Sequence, residues 1–359
     1  MTARTLVVIR ELAIPEAVGA EGWADFAMAL GIHFGNEALS YGTDELAFAA
    51  AEALPLWLDQ ENQPTRLFVA RDGERMVGAA RYEVESGDDP HTAWLMVDVL
   101  PGVRETGIGT ALSEKLYAIA RADGIRKAIV YAVSPYGAGE LIVPPTGFGS
   151  VPRDNPEVRF LLGKGYRLEQ VIRGSRLALP VDVSGQLAES LTATGSDYTL
   201  HSWTDETPAR WRAEMATMHQ LMSVEDSSAG LEEPEDVWTV DRLLEHEERL
   251  AASPRTLVTA AVEHVPTGTI AGFSTLSVPS ELDRTISQED TLVRREHRGH
   301  RLGMLLKLAN LAEVQRLRPG HPAVITFNAE ENRHMLDVNE AVGFVPIGYE
   351  GAWRRDLPT

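Results

Sequence analysis

A loop rich in glycine and arginine occurs twice in this 359-residue chain, each time between a predicted strand and a predicted amphipathic helix. The first copy runs from Arg104 to Gly109 and the second from Arg298 to Gly303, 194 positions later. In each copy a valine, Val99 or Val293, lies five residues before the arginine. A strand followed by a tight loop and a helix places that helix against a sheet. The repeat therefore limits the chain to α/β folds made of two related halves.

The spacing of apolar residues predicts the same order of elements in both halves. In the first half it predicts a strand over 6–10, helices within 23–58, strands over 66–71, 75–84 and 93–100, a helix over 110–123 and a strand over 128–133. In the second half it predicts a strand over 198–203, helices within 208–222 and 237–252, strands over 256–263, 269–278 and 285–293, a helix over 302–317 and a strand over 323–328. The two halves should therefore contain strands and helices in the same order.

The boundary between the halves is predicted at residues 181–197, which are rich in serine, threonine, glycine and alanine and lack a sustained apolar period. We therefore expect an N-terminal domain over 1–180, a linker over 181–197 and a C-terminal domain over 198–359. The pairs Gly165-Tyr166 and Gly343-Phe344 lie only 178 positions apart. This separation is 16 residues shorter than the 194 positions between the loops, and a glycine- and proline-rich insertion at 137–152 of the first half accounts for the difference. The pattern indicates an old duplication.

Composition excludes several classes of function. The absence of cysteine rules out disulfides, thiolate nucleophiles and cysteine-ligated metals. A formal net charge of -20 argues against general binding to nucleic acids, which depends on lysine and arginine. No apolar run approaches the length of a membrane span, and the start lacks the features of a signal peptide, so a cytoplasmic protein without a membrane partner is expected. An acidic surface suits a cationic substrate such as an amine, although such surfaces more often serve solubility.

The loops have the chemistry of a pyrophosphate site. Backbone amides at a helix N-terminus offer unpaired donors and the positive end of a dipole, and glycine lets the backbone approach an anion closely. The residues concerned are Arg104, Glu105, Thr106, Gly107, Ile108 and Gly109 in the first copy and Arg298, Gly299, His300, Arg301, Leu302 and Gly303 in the second. Arg301 stands where the first copy has Gly107. An ordinary turn could contain the same residues, but two copies in the same context favour the anion site. Neither copy is a dinucleotide fingerprint.

The first loop matches the signature of the GNAT acetyltransferase superfamily: glutamine or arginine, two residues, glycine, one residue, then glycine or alanine. The second loop departs from this signature at Arg301. Asn332, Met335, Asn339 and Gly343-Phe344 also resemble the C-terminal signature of that family. The resemblance covers essentially the whole chain. In its two-domain layout the chain resembles the actinobacterial tandem acetyltransferases, the group that includes mycothiol synthase.

The resemblance implies two mixed sheets in which neighbouring parallel strands splay apart and admit the pantetheine arm of acetyl-CoA, used as a cosubstrate without a metal. It implies contacts of pantetheine with the backbone around Val99 and around Leu292 and Val293. Both loops, together with Asn328 and Asn332, are the expected cofactor-binding residues.

The implied reaction is transfer of an acetyl group to the amine of a small molecule, by direct attack on the thioester in a ternary complex. Alternation along the strand before each loop places Asp98 and Asp290 on the same face. Asp290 is the preferred general base and Asp98 the second candidate, although an aspartate at a strand end is as often a cap or an ion-pair partner. The second half is the preferred catalytic domain because it keeps more of the C-terminal signature.

The proton donor for the departing thiolate is not evident. The family's usual tyrosine is replaced by Asn339 in the second half and by Leu161 in the first. Release to water, assistance by the substrate and donation by Tyr349 all remain possible at this level. Asn339 and Tyr349 are therefore candidate catalytic residues beside Asp290.

Other interpretations also remain open. The acidic segment 225–236 could line a pocket for a cationic substrate, but a solvated loop is the simpler reading. His297 and His300 flank Arg298, and a metal site there is disfavoured. The missing tyrosine favours a non-catalytic acyl-CoA sensor, whereas a tRNA-dependent transferase would need a basic face. The sequence is compatible with a monomer or a homodimer.

Overall fold

The structure is a computed structural model that describes residues 7–86, 90–225 and 229–358. The chain divides into two compact units. Unit 1 comprises Met1–Val171, Ala229–Pro234 and Gly348–Thr359, and unit 2 comprises Ile172–Ser228 and Glu235–Ile347. The first residue of the predicted strand over 6–10 lies outside the described part.

The first half of the sequence contributes eight strands and four helices to the described part of the chain. They are β1 (Val8–Leu12), α1 (Trp23–Tyr41), α2 (Ala50–Trp57), β2 (Thr65–Asp72), β3 (Arg75–Val84), β4 (Thr92–Val99), α3 (Ile108–Ala122), β5 (Lys127–Val133), β6 (Leu141–Ile142), β7 (Val151–Pro152), α4 (Pro156–Gly163) and β8 (Arg167–Ala178). The predicted insertion at 137–152 holds the short β6–β7 pair.

The second half repeats this order. Its elements are α5 (Ser184–Thr194), β9 (Tyr198–Thr204), α6 (Arg212–Glu225), α7 (Val240–Ala251), β10 (Arg255–His264), β11 (Thr269–Pro279), β12 (Ile286–Val293), α8 (Leu302–Leu317), β13 (Ala323–Ala329), α9 (Arg333–Val342) and β14 (Val345–Asp356). The predicted helix over 302–317 and the predicted strand over 75–84 have the bounds found in the structure.

The sheets of both units are mixed, as predicted. In unit 1 the strand order is β1-β2-β3-β4-β5-β14, and only the β4–β5 pair is parallel. In unit 2 the order is β8-β13-β12-β11-β10-β9, and only the β12–β13 pair is parallel. Helix α3 packs on the strands of unit 1 through Leu112 and Leu116, and α8 packs on unit 2 through Leu305 and Leu306.

The parallel pair of each unit splays apart, which confirms the central expectation for the fold. β4 and β5 pair only from Thr92↔Lys127 to Trp94↔Ile129. β12 and β13 pair only at Ile286↔Val324 and Ser287↔Ile325. Beyond these points the facing strand edges have no ladder partner among the described strands, so each splay offers free backbone groups to a ligand.

The final strand of each sequence half completes the sheet of the other half. β8 pairs with β13 from Ile172↔Ala329 to Ala178↔Ala323. β14 pairs with β5 from Glu350↔Val133 to Asp356↔Lys127. The compact units therefore differ from the predicted domains at both ends, since 172–180 belongs to unit 2 and 348–359 belongs to unit 1.

The predicted linker over 181–197 is wrong in its local structure, because it contains helix α5. The buried side of this helix includes Ser190 and Thr194, and Leu187 packs against the core of unit 2. Small polar residues in a buried face do not produce an apolar period, so the pattern concealed the helix. Among the described residues, no helix combines the length and apolar character that a membrane span requires.

Candidate functional site

The loop of unit 1 ends in a helix N-terminus with unpaired amides. Gly107 adopts a left-handed conformation (φ 95°) immediately before α3. The first backbone hydrogen bond of the helix runs from Ala111 N to Gly107 O, and no described side chain caps the helix. The preceding amides therefore have no partner within the helix, which is the arrangement that binds phosphate groups.

Arg104 stabilises the end of β4. Its Nε donates to Val99 O (3.2 Å), and its Nη2 donates to Asn36 Oδ1 on α1 (3.0 Å). In unit 2, Arg298 Nε donates to Val293 O at the same distance of 3.2 Å. Both arginines thus hold the strand end from which the loop departs, and a direct contact with phosphate stays a prediction.

A cavity of about 570 Å³ fills the splay of unit 1. Gly107 and Gly109 line it at the loop, and the backbone run Leu95–Val99 of β4 and Val130–Val133 of β5 form its two walls. On the helix side it is lined by Ser113 and Tyr117 of α3, together with Tyr166. The cavity therefore connects the amides of the loop with the interior of the splay.

Asp98 lies in this cavity and is held by two side chains of α1. His33 Nδ1 lies 2.9 Å from one carboxylate oxygen of Asp98, and Asn36 Nδ2 donates to the other at 2.8 Å. The Asp98 side chain is only 14% exposed. Burial by itself lowers the pKa of His33, but the hydrogen bond and the negative charge of Asp98 outweigh it and raise that pKa above 6.5.

Two further carboxylates surround the same histidine. Glu37 Oε1 lies 3.4 Å from His33 Nε2, and burial raises the pKa of Glu37. On β14, Glu350 accepts a hydrogen bond of 2.6 Å from Tyr41 Oη. Burial raises the pKa of Glu350 to about 7 despite that hydrogen bond. The site can therefore store or accept protons near neutral pH.

Part of the acidic segment 225–236 forms a wall of unit 1. Leu231 is fully buried against Ile129 and Ala352. Glu233 Oε1 accepts hydrogen bonds from Trp94 Nε1 and Tyr131 Oη, each of 3.0 Å. Because Tyr131 also lines the cavity, the segment Ala229–Pro234 is packed structure beside the site and not a freely solvated loop. Residues 226–228 lie outside the described part.

The loop of unit 2 has the same backbone path with different side chains. Arg301 takes the left-handed conformation (φ 59°) that Gly107 has in unit 1, and the first bond of α8 runs from Leu305 N to Arg301 O. Arg301 Nη1 lies 3.5 Å from Glu189 Oε1 of α5. A cavity of about 470 Å³ borders this loop, lined among others by Gly299, Leu302, Gly303 and His334.

Asp290 lies at a bulge of β12. It is not one of the described residues that line the unit 2 cavity. Its carboxylate lies 3.5 Å from His219 Nδ1, and the side chain is 39% exposed. The position that matches Asp98, counted from the valine before the loop, is Leu292, which is buried. Unit 2 thus has an aspartate–histidine pair, but that pair lies elsewhere on the strand.

Asn328 and Asn332, predicted for the cofactor site, and Asn339, predicted as catalytic, make contacts within the protein. Asn339 is buried and donates to Asn328 Oδ1 (2.7 Å). Asn332 caps α9 by accepting a hydrogen bond from Met335 N (3.3 Å). These bonds give both pairs a structural role, and their contact with a cofactor stays a prediction.

The three predicted catalytic residues do not come together in one unit, which corrects the expected arrangement. Asp290 and Asn339 belong to unit 2, whereas Tyr349 lies on the part of β14 that belongs to unit 1. There its ring contacts the edge of Tyr136, with 5.1 Å between ring centroids. The cause is the exchange of β14, which the local pattern of the sequence does not reveal.

Sequence reasoning missed the polar face of α1. His33, Asn36, Glu37 and Tyr41 recur at the three- and four-residue spacing that places them on one side of a helix. That spacing, within an otherwise apolar helix, was the available signal. The described residues contain no group of three or more histidine, aspartate and glutamate side chains arranged to hold a metal ion.

Comparisons with known proteins agree with this geometry. Residues 37–138 match the model of the acetyltransferase (GNAT) family. A search of curated protein sequences finds no match. The chain is similar in structure to a tandem GNAT protein from the clavulanic acid biosynthesis pathway, with 25% identity, 99% of each chain covered and a TM-score of 0.74. It also has the fold of a GCN5-related N-acetyltransferase from Sphaerobacter thermophilus, with 18% identity, 98% of this chain and 96% of the other covered and a TM-score of 0.60. Residues 37–138 therefore match the acetyltransferase (GNAT) family, and the whole chain has the fold of a tandem GNAT protein.

Proposed function

We propose that this protein is an N-acetyltransferase that moves an acetyl group from acetyl-CoA to the amine of a small molecule, and that unit 1 performs the reaction. The main support is the cavity of about 570 Å³. It extends from the Arg104–Gly109 loop, with its helix N-terminal amides, to the Asp98–His33 pair. The region matched by the family model lies within unit 1. The sequence alone favours the second half, but among the described residues the cavity of unit 1 includes its aspartate–histidine pair in the lining and the cavity of unit 2 does not.

The donor would bind along the splay. The loop amides would hold the pyrophosphate, aided by the dipole of α3. Among the described strands, the edge of β4 beyond Trp94 has no partner on its β5 side, so backbone groups there could pair with the amides of the pantetheine arm, except Val99 O, which already accepts from Arg104 and Asn36. Val99 and Val97 lie along this edge. This geometry would bring the thioester past Asp98.

The acceptor would attack the thioester directly. The amine nitrogen forms the new bond to the acetyl carbon while the carbon–sulfur bond breaks and coenzyme A leaves as a thiolate. The proton lost by the amine passes to the Asp98–His33 pair. General base help of this kind is worth about 10²- to 10⁴-fold in rate.

The thiolate would take its proton from a tyrosine of the same cavity. Tyr117 Oη donates to Tyr166 Oη (3.3 Å), and both side chains line the cavity. Burial raises the pKa of Tyr166, so the phenol stays protonated and can act as a donor. Tyr349, the donor suggested by the sequence, is not among the described residues that line the cavity.

The matched pair Asp98→Asn and Asp290→Asn tests the proposal. Purified protein is given acetyl-CoA with amines, amino acids, aminoglycosides and polyamines, and free thiol is measured. We expect Asp98→Asn to lower kcat about 10²- to 10⁴-fold with little change in affinity for acetyl-CoA, and Asp290→Asn to keep the wild-type rate. The reverse result would place the reaction in unit 2.

One alternative function remains, a non-catalytic acyl-CoA sensor. The absence of the family's usual tyrosine at Leu161 and Asn339 favours it. Acetyl-CoA binding without turnover of any amine in the panel would support the sensor and count against the enzyme.

A further inference from the structure

We propose that Lys307 closes the acyl-donor channel of unit 2, so that the chain binds one molecule of acyl-CoA and binds it in unit 1. The inference builds on the donor site proposed for unit 1. It concerns how the two duplicated splays have come to differ, and it can be tested by binding alone.

Lys307 takes the place of a short residue that lines the open cavity. Helices α3 and α8 begin at Ile108 and Leu302, and the sixth residue of each is Ser113 and Lys307 respectively. Ser113 folds back onto its own helix, with Oγ donating to Gly109 O (2.9 Å), and leaves the cavity of unit 1 open. The lysine side chain at the same position is far longer and only 2% exposed.

The end of the lysine reaches the back of the splay. Lys307 Nζ lies 5.9 Å from the centroid of the Phe344 ring. Phe344 follows Gly343 at the end of α9 as Tyr166 follows Gly165 at the end of α4, and Tyr166 lines the cavity of unit 1. Lys307 and Phe344 therefore meet where unit 1 has open space between Ser113 and Tyr166.

The cavity of unit 2 keeps only the outer part of its counterpart. Val293, Arg298 and Gly303 still line it at the loop. Among the described residues, neither Lys307 nor Phe344 lines it, although their counterparts line the cavity of unit 1. Asn339, whose backbone oxygen accepts from Phe344 N, donates its side-chain amide to Asn328 Oδ1 in a partly buried hydrogen bond next to Phe344. The channel thus stops directly behind the loop, where the pantetheine arm would have to enter.

Charged side chains of both signs line the mouth of the unit 2 cavity, and each of the two carboxylates among its described lining residues is paired with an arginine. Asp337 lies six residues before Gly343, as Arg159 lies six residues before Gly165 in unit 1, and both line their cavities; Asp337 accepts from Arg333 Nη2 (2.9 Å). Glu189 of α5 also lines the mouth and lies 3.5 Å from Arg301. These pairs offset the negative charge, so the closure of unit 2 rests on Lys307 and Phe344 and not on repulsion at the mouth.

A buried lysine can serve as such a closure because it need not carry its charge. Burial lowers the pKa of Lys307 to about 7, so much of the amine is neutral at physiological pH. A neutral amine on a four-carbon chain packs much as methionine does. When Lys307 is protonated, its ammonium group can make a cation–π interaction with the ring of Phe344.

Reciprocal substitutions test the proposal by counting acetyl-CoA per chain with native mass spectrometry and calorimetry. We expect one molecule for the wild-type protein and two for Lys307→Ser. Lys307→Met, the matched control of similar length, should stay at one. Ser113→Met, which lengthens the same position in unit 1, should abolish binding. Two molecules on the wild-type protein, or one on a folded Lys307→Ser variant, would overturn the proposal.

Hydrogen exchange locates the bound molecule and covers the case in which Lys307→Ser fails to fold. In the wild-type protein, acetyl-CoA should protect amides 104–110 and leave 298–304 unchanged. Protection of 298–304 contradicts the closure of unit 2. A protein that protects only 104–110 but acetylates no amine would retain this inference while removing the proposed activity.

Discussion

The environment of His33 gives the proposed reaction a testable pH dependence. The base form of the pair is neutral His33 beside ionised Asp98, and Asp98 raises the pKa of His33 above 6.5. The ratio kcat/KM should therefore rise with pH through an inflection above 6.5. Asp98→Asn removes the charge that raises this pKa, so the inflection should move to lower pH while the maximum rate falls.

Initial rates at saturating acetyl-CoA from pH 5.5 to 9 would measure the profile, with Asp290→Asn as the control that keeps the wild-type inflection. An inflection that stays in place in Asp98→Asn would exclude His33 as the titrating base.

Lys307 should make stability depend on pH above neutrality. Its pKa falls from 10.5 in the unfolded chain to about 7 in the folded one, so the unfolded state binds more protons between these values. The free energy of unfolding should then rise with pH from 7 to 10.5, by at most about 1.4 kcal/mol per pH unit from this group. Lys307→Met removes the titrating group, so its stability advantage over the wild-type protein should grow as pH falls from 10 to 7 and then level off.

Urea unfolding of both proteins at several pH values would measure this difference. A difference that is constant over the whole range would show that Lys307 keeps an ordinary pKa and stays protonated.

At the scale of elements, the segment Ala229–Pro234 connects the second half of the sequence to the site of unit 1. Glu233 is the shared acceptor of the Trp94 indole and the Tyr131 hydroxyl. Glu233→Ala removes this shared acceptor and loosens the tyrosine that lines the cavity. We expect a higher KM for the amine and an unchanged KM for acetyl-CoA.

Glu235→Ala provides the control for that experiment, because Glu235 belongs to unit 2 and accepts from Gln220 (2.7 Å). Equal changes of KM in the two variants would mean that Glu233 has no special place beside the acceptor site.

The spacing of apolar residues predicts most of the elements but not, among others, α4, α5, β8 or β14, and both the helices found and the loss of α5 have a physical reason. Leu112 and Leu116 of α3, or Leu305 and Leu308 of α8, repeat at helical spacing because one helix face packs on a sheet. In α5 the buried face includes Ser190 and Thr194, which carry no apolar signal. Its burial depends on contact with α8, which lies more than a hundred residues away along the chain.

At the scale of the whole molecule, the exchanged strands make unit 1 depend on residues near the end of the chain. Trp353 of β14 is 1% exposed and packs in the core that contains Leu112 and Leu116. Trp353→Ala should cost about 3 to 5 kcal/mol and speed hydrogen exchange in β4, β5 and α3 of unit 1. Phe344→Ala, nine residues earlier, should instead speed exchange in α8 and β13 of unit 2, since Phe344 packs in that core.

Exchange resolved by peptide mass spectrometry would separate these outcomes. Faster exchange confined to unit 2 in the Trp353→Ala variant would contradict the placement of β14 in the sheet of unit 1.

The sequence by itself determined the local features: two strand–loop–helix repeats, with the loops at Arg104–Gly109 and Arg298–Gly303. These follow from residue spacing and backbone preference within short stretches of chain. Only the tertiary structure decided which sheet receives β14, which residues surround Asp98, and which splay is open. Such features depend on side chains that lie far apart in the sequence, as His33 does from Asp98 and Lys307 from Phe344. The two loops that look equivalent in the sequence therefore border cavities of different depth, because one residue on each following helix, serine or lysine, decides how much space remains behind them.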